Sequence, residues 1–444
     1  MGFEGGGSGS NRERFGQRAL RMVREKDAVA TAEFDAGGFA IVFSTTTGER
    51  GRIDLTAVFL RSYTASAATT ERMLAEFIAA TPSLGGPYLP ASHFVAETPF
   101  REDIYQPGVY FFKANAVPSG TYQPETWALT APRLRPLIRQ AGFLDLRMDD
   151  TRAADHTMWR PILPGLIEKV IVDQPTVMGS ISPDFFTAWG VDADTVFATA
   201  HANLAGTALD MVADYDPGKD DGILDIPDED GNLYMGSLPV MDGWLTGIGA
   251  KAGARPIVFV ARSAGLLLGA EFSPQHVQRL VTRARQLFDT AERPVSPVPY
   301  TVDDTGRLIP FRVPREHPAW AGIRSATAAL AVQVYEWQHD YLERDRKAGL
   351  LGAHPAKLLH SRSVNGVEYT STRWTDGVPT LLPRAHVVTL TDTTTSDTVG
   401  VTWKSLAAAL DLRPAEGFYP PRYRVEFHPD AETMAQLRAA PPHL

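Results

Sequence analysis

Apolar residues recur along this chain with two different periods, and the change from one to the other marks its elements. In "RFGQRALRMVREKD" Phe15, Ala19, Met22 and Val23 return at spacings of four and three, the period of a helix with one buried face. "TAEFDAGGFAIVFS" holds two strand-like runs joined by "DAGG", a hairpin signal. In "GRIDLTAVFLRSY" Ile53, Leu55, Ala57 and Phe59 alternate with more polar positions, as in a half-buried strand, and "TTERMLAEFIAAT" returns to helix. The predicted first unit is helix, sheet, helix.

Residues 82–130 are rich in Pro and aromatics without clear periodicity, and read as an irregular insertion packed across the domain. Beyond it, "IEKVIVDQPTVMGSI" is strand-like, and "SPDFFTAWGVDADTVFATAHANLAGTAL" holds a helix with Asp192 as its N-cap. "RPIVFVARSAGLLLGAEF" reads as a strand pair. "SPQHVQRLVTRARQLFDT" places Val277, Leu280, Val281, Ala284, Leu287 and Phe288 on one stripe, and Ser273 with Pro274 marks its start. Strands follow in "PVPYTVDD" and "GRLIPFRVP". A long helix then leads to a Thr/Val-rich region that ends in "GFYPPRYRVEF", too Pro-rich for a central strand. The expected class is α+β. Residues 1–12 form a flexible Gly/Ser tail, 13–130 and 131–314 two α+β modules, 315–350 a connecting helix, and 351–444 a β-rich module.

Composition narrows the chemistry. The 444 residues contain no cysteine, which removes disulfides, thiolate metal sites and a cysteine nucleophile. The first residues lack the apolar core of a signal peptide, and no apolar run approaches the roughly 20 residues that span a bilayer. The expectation is a soluble cytoplasmic protein without membrane insertion. A net charge of −9 and the absence of a Lys/Arg cluster argue against nucleic acid as its partner.

Most of that charge sits in "ADYDPGKDDGILDIPDEDGN", residues 213–232, where eight acidic side chains face one Lys. An EF-hand loop needs oxygen ligands at positions 1, 3, 5, 9 and 12 and Gly at 6. Starting at Asp214 puts Gly218 at 5 and Lys219 at 6; starting at Asp216 puts Gly218 at 3 and Pro227 at 12. Neither register works. The segment reads as a solvated acidic loop, with a calcium or magnesium site on Asp214, Asp216, Asp220, Asp221 and Asp225 as the alternative.

Other constellations weigh less. "ARSAG" (261–265) resembles a serine nucleophile elbow, but its flanks read as strand, turn, strand rather than strand, turn, helix, so Ser263 is expected in a hairpin turn. His201 in "ATAHANL" lies near the apolar face of its helix and is expected to be a hydrogen-bonded structural histidine. "EWQHDYL" places Glu336, His339 and Asp340 at helical spacing without the second histidine of a zinc motif. Arg139 in "RPLIRQ" is a candidate for binding an anion, against a structural ion pair. "RWTDGVPTLLPR" gathers Trp374, Asp376, Pro379, Pro383 and Arg384, residue types that interfaces favour, although "TDGVP" also makes a turn by itself.

"LRPLIRQAGF" (134–143), "WGVDADTVFATAHANL" (189–204), and "IVFVARSAGLLLGAE" followed by "LFDTAERPVSPVPYTVDDTGRLIPF" resemble the YtpQ-like bacterial family, whose function is not established. The resemblance covers residues 13–80 and 131–311. It implies an α+β fold and transfers no catalytic residue, and the acidic segment departs from it. The helix–sheet–helix unit is also similar to type III secretion chaperone-like folds, which bind other polypeptides. The expected function is a non-catalytic intracellular protein-binding or scaffolding role with a protein partner and no cofactor. The alternative is a metal-dependent hydrolase using the acidic-loop carboxylates.

Overall fold

The computed structural model describes residues 8–48, 50–55, 58–59, 67–79, 126–148, 151–173, 178–181, 185, 188–228, 234–395, 397–415, 417–439 and 442. Most of the Pro- and aromatic-rich insertion lies outside them. The architecture is α+β, with mostly antiparallel sheets.

The first unit is an antiparallel meander of β1 (Val29–Asp35), β2 (Ala40–Thr45) and β3 (Arg50–Asp54), packed against α1 (Ser8–Arg24) and α2 (Ala67–Ala79). Helix α1 starts at Ser8, inside the segment expected as a tail. Strand β3 ends earlier than alternation predicted. The Phe59 N–H bonds to Leu55 O at 2.9 Å in a helical turn, and Phe59 packs edge-on against Phe15 and Phe39. A spacing of four fits both periods, so Leu55 and Phe59 could not distinguish strand from helix.

In the second unit β6 (Leu166–Asp173) is central, buried along nearly its whole length. On one side it pairs with β4 (Leu134–Gln140), and on the other with β5 (Trp159–Leu163) and β7 (Met178–Ser180). Helix α3 (Ala193–Asp214) packs on β4. Asp192 caps it by accepting the Thr195 N–H at 2.7 Å. A second sheet follows in the order β8 (Leu224–Pro227), β10 (Gly265–Ala270), β9 (Pro256–Phe259), β11 (Tyr300–Val302), β12 (Leu308–Pro310). It is flanked by α4 (Trp244–Ala252) and by α5 (Pro274–Thr290), whose buried stripe is the one the 3.6 period predicts. Ser273 accepts the His276 N–H at the α5 N-terminus, and Pro274 occupies the first turn.

Helix α6 (Trp320–Lys347) is less a connector than a shared wall. One continuous apolar cluster runs from Phe15 and Ile41 through Ile167 and Leu209 to Val258, Leu330 and Tyr419. The β5–β6 turn approaches α6 so closely that a Cβ on Gly165 would lie 3.3 Å from Leu330, and its φ of +76° independently favours glycine.

The C-terminal region forms two small sheets. One is β13 (His354–Pro355), β16 (Thr380–Pro383) and β19 (Arg422–Val425); the other is β14 (Leu359–Arg362), β15 (Glu368–Thr375), β17 (Val387–Thr391) and β18 (Thr398–Thr402). Strand β19, from the Pro-rich ending, is an edge strand, as a proline-flanked segment must be. Fully buried Arg422 joins this region to α6. It donates to Gln338 Oε1 at 2.6 Å and to the carbonyls of Ala356, Leu381 and Tyr335. Its ligands are all neutral, and burial lowers its pKa to about 10. The Tyr419 hydroxyl donates to Leu163 O and reaches Leu166 O, anchoring the segment before β19 to the β5–β6 turn.

Candidate functional site

A cavity of about 360 Å³ opens between the free edge of β4 and the connections of the five-stranded sheet. That is near the lower end of the roughly 300–1,000 Å³ range of small-molecule sites. β4 contributes Leu137 and Arg139, the β9–β10 turn Arg262 and Ser263, the segment after α5 Arg293, and a 3₁₀ turn, Met235–Val240, Ser237.

Backbone pairing holds these groups together. The Ser263 N–H donates to Arg293 O at 3.1 Å, and the Val295 and Ser296 N–H groups return to the carbonyls of Ala261 and Val260. Ser263 is thereby set opposite Arg293, and Arg262 opposite Pro294. The Ile138 N–H donates to Ser237 Oγ at 3.4 Å, fastening the 3₁₀ turn to the edge of β4. Gly265 closes the turn at φ +126°, and a Cβ there would lie 2.3 Å from Ile226 O, so no other residue fits.

The electrostatics of the cavity are unbalanced. Arg262 donates to Asp225 Oδ1 at 2.6 Å, and Arg283 takes the other oxygen of the same carboxylate at 2.8 Å. Among the described residues Arg139 has no such partner. Its one hydrogen bond to a described residue goes to the neighbouring Ile138 carbonyl at 2.9 Å. Burial, reinforced by the nearby charge of Arg293, lowers its pKa to about 10. Lys169, on the adjacent strand β6, is buried with its ammonium 4.3 Å over the Phe143 ring and 3.3 Å from Ser180 Oγ. Burial and then Arg139 bring its pKa down to about 7. The rim also carries Asp228, whose Oδ2 accepts the Met235 N–H, and the exposed Glu292. The arginines still leave the cavity positive, in a chain that is negative as a whole.

The candidate metal ligands are not brought together. Asp214, Asp216, Asp220 and Asp221 are exposed. Asp216 accepts the Gly218 N–H, Asp221 stands 4.0 Å from Arg279, and Asp225 is held between its two arginines. Among the described residues no group of three His, Asp or Glu side chains is placed to hold a metal ion, and residues 229–233 of the segment lie outside them. Ser263 lies in a strand–turn–strand as expected. No histidine is among the described residues lining the cavity, and Ser263 Oγ makes no hydrogen bond with a described residue.

His201 does have a carboxylate partner. Its Nε2 lies 2.5 Å from Oε1 of fully buried Glu168, whose Oε2 accepts from Arg160 at 2.7 Å. Burial alone would raise the Glu168 pKa; Arg160 and His201 outweigh it and hold it at about 2. His339 is also structural, buried with Nδ1 2.8 Å from Pro355 O, while Glu336 and Asp340 on the same helix are exposed.

The expected interface on "RWTDGVPTLLPR" folds inward instead. Trp374 is 1% exposed, donates to Glu426 O and meets His428 edge-on; Asp376 Oδ1 accepts the His428 N–H. Strand alternation explains this, because Thr370, Thr372 and Trp374 share the buried face of β15. Pro383 is buried in β16, and Pro379 and Arg384 are partly exposed.

Arg139 alone of the cavity's arginines was singled out from the sequence. Arg293 and Lys169 carried no motif. The signal available for Lys169 was a charged pair, Glu168–Lys169, inside an otherwise apolar strand.

No family model matches this chain, and neither a curated protein nor a solved structure matches it. Among the described residues no helix is long and apolar enough to cross a membrane.

Proposed function

We propose that this chain is a non-catalytic binding protein whose β4-edge cavity takes the anionic group of a small ligand. The observation that carries the reading is Arg139, a half-buried guanidinium with no carboxylate partner among the described residues, close enough to Arg293 and Lys169 for their charges to act on one another. Unlike Arg422, whose N–H groups are taken up by neutral acceptors, Arg139 keeps most of its N–H groups unused by described residues, which suits an anion from outside. Among the described residues no histidine lines the cavity with Ser263, and the reading rests on binding rather than acyl transfer.

The test is thermal unfolding of the full chain with acetate, sulfate and phosphate. An anion that binds only the folded state raises the melting temperature with its concentration. At least one of these anions is expected to do so, and Arg139→Met and Arg293→Ala each to abolish the rise. Because Arg293 is exposed, its removal leaves the fold intact and serves as the folding control. Indifference to all three anions, or a rise that survives in both variants, overturns the reading.

A further inference from the structure

We infer that the group seated in this cavity is a phosphate monoester, held by Arg139, Arg293 and the Arg262–Gly265 turn, with the Ser263 hydroxyl as a donor rather than a nucleophile. The inference rests on the anion-binding reading above and goes further in fixing the ligand's class.

The donor set favours phosphate over carboxylate. Arg139 and Arg293 have no ion pair with a described residue, and Arg262 shares its one carboxylate with Arg283. The donors are also more numerous than two carboxylate oxygens can use. Arg139 keeps most of its N–H groups unused by described residues, Ser263 Oγ is unbonded to any of them, and Ser237 Oγ, which accepts from Ile138, still has its own proton to give. Three terminal phosphate oxygens match such a set, and planar guanidinium forks suit their geometry.

The cavity also tells esters from the free ion. Its volume of about 360 Å³ exceeds what an inorganic phosphate fills, and Leu137, Val260 and Met178 supply an apolar flank for a small organic body.

Equilibrium binding to the full chain, by calorimetry, with acetate, inorganic phosphate and glycerol phosphate as the three probes, decides the matter. Glycerol phosphate is expected to bind more tightly than inorganic phosphate, and acetate at least tenfold more weakly than either. Ser263→Ala is expected to weaken phosphate binding about tenfold while leaving acetate unchanged, as removal of one donor to a charged acceptor does. If acetate binds as well as phosphate, the anion-binding reading stands and the phosphate assignment is overturned. If inorganic phosphate binds as tightly as its ester, the assignment to an ester is overturned. If none of the three binds, both fall.

Discussion

Replacing Glu168 by Gln tests how the buried cluster under α3 is held. Glu168 is fully buried between Arg160, at 2.7 Å, and His201, at 2.5 Å. Its carboxyl titrates near 2 in the folded chain, against 4.5 in the unfolded one, because Arg160 and His201 overcome the cost of burial. At about 1.36 kcal/mol per tenfold change in proton affinity, the charge contributes roughly 3 kcal/mol at neutral pH. The folded pKa is depressed, so this contribution is complete above pH 4.5 and is lost as the pH falls from 4.5 to 2. Gln keeps the volume but removes the charge, leaving Arg160 and His201 facing a neutral amide. Urea unfolding followed by tryptophan fluorescence should place the variant about 3 kcal/mol below wild type at pH 7 with an unchanged slope, and only about 1 kcal/mol below it at pH 3. A gap of equal size at both pH values would show that packing, not charge, holds the cluster. A variant as stable as wild type at pH 7 would refute the reasoning outright.

Two further substitutions probe the other buried cations. For Lys169 the folded pKa of about 7 lies below the usual lysine value of 10.5, so its burial is most costly below pH 7 and the cost fades as the pH rises toward 10.5. Lys169→Met should raise the stability at pH 7 by up to about 4 kcal/mol and flatten the wild-type gain in melting temperature between pH 7 and 10; a lower melting temperature at pH 7 contradicts this. Arg422→Met leaves Gln338 Oε1 and the Ala356 carbonyl without the Arg422 donor and takes one of the two bonds from Leu381 O, and should lower stability by about 3 kcal/mol, with faster amide exchange in β16 and β19 as the measured signature.

What could be read from the sequence was what neighbours along the chain decide. The α5 stripe, the Asp192 and Ser273 caps and the β9–β10 pair all depend on residues within a few positions of one another, and all stand in the structure as expected. What could not be read depends on which distant elements meet. Glu168 and His201 are 33 residues apart, and nothing in either segment states that α3 crosses the sheet where β6 presents its carboxylate. Arg139 and Arg293 come to line one cavity because the segment following α5 bridges to the β9–β10 turn beside the edge of β4. Trp374 was misread for a related reason. Its composition suits a surface, and only the register of β15 against β17, Trp374 opposite Leu390, shows which face is covered.

The bonds of Tyr419 and Arg422 set an order of events during synthesis. The carbonyls of Leu163 and Leu166 at the β5–β6 turn, and Gln338 Oε1 on α6, take these hydrogen bonds from side chains translated well after them. Until residues 419–422 emerge, a nascent chain with the elements up to α6 formed still presents an uncovered helix face and solvent-facing carbonyls. That interval is when chaperones, or association with a neighbouring nascent chain, have most to act on. A ribosome stalled before residue 419 has emerged would hold that surface open, whereas emergence of residues 419–422 closes it.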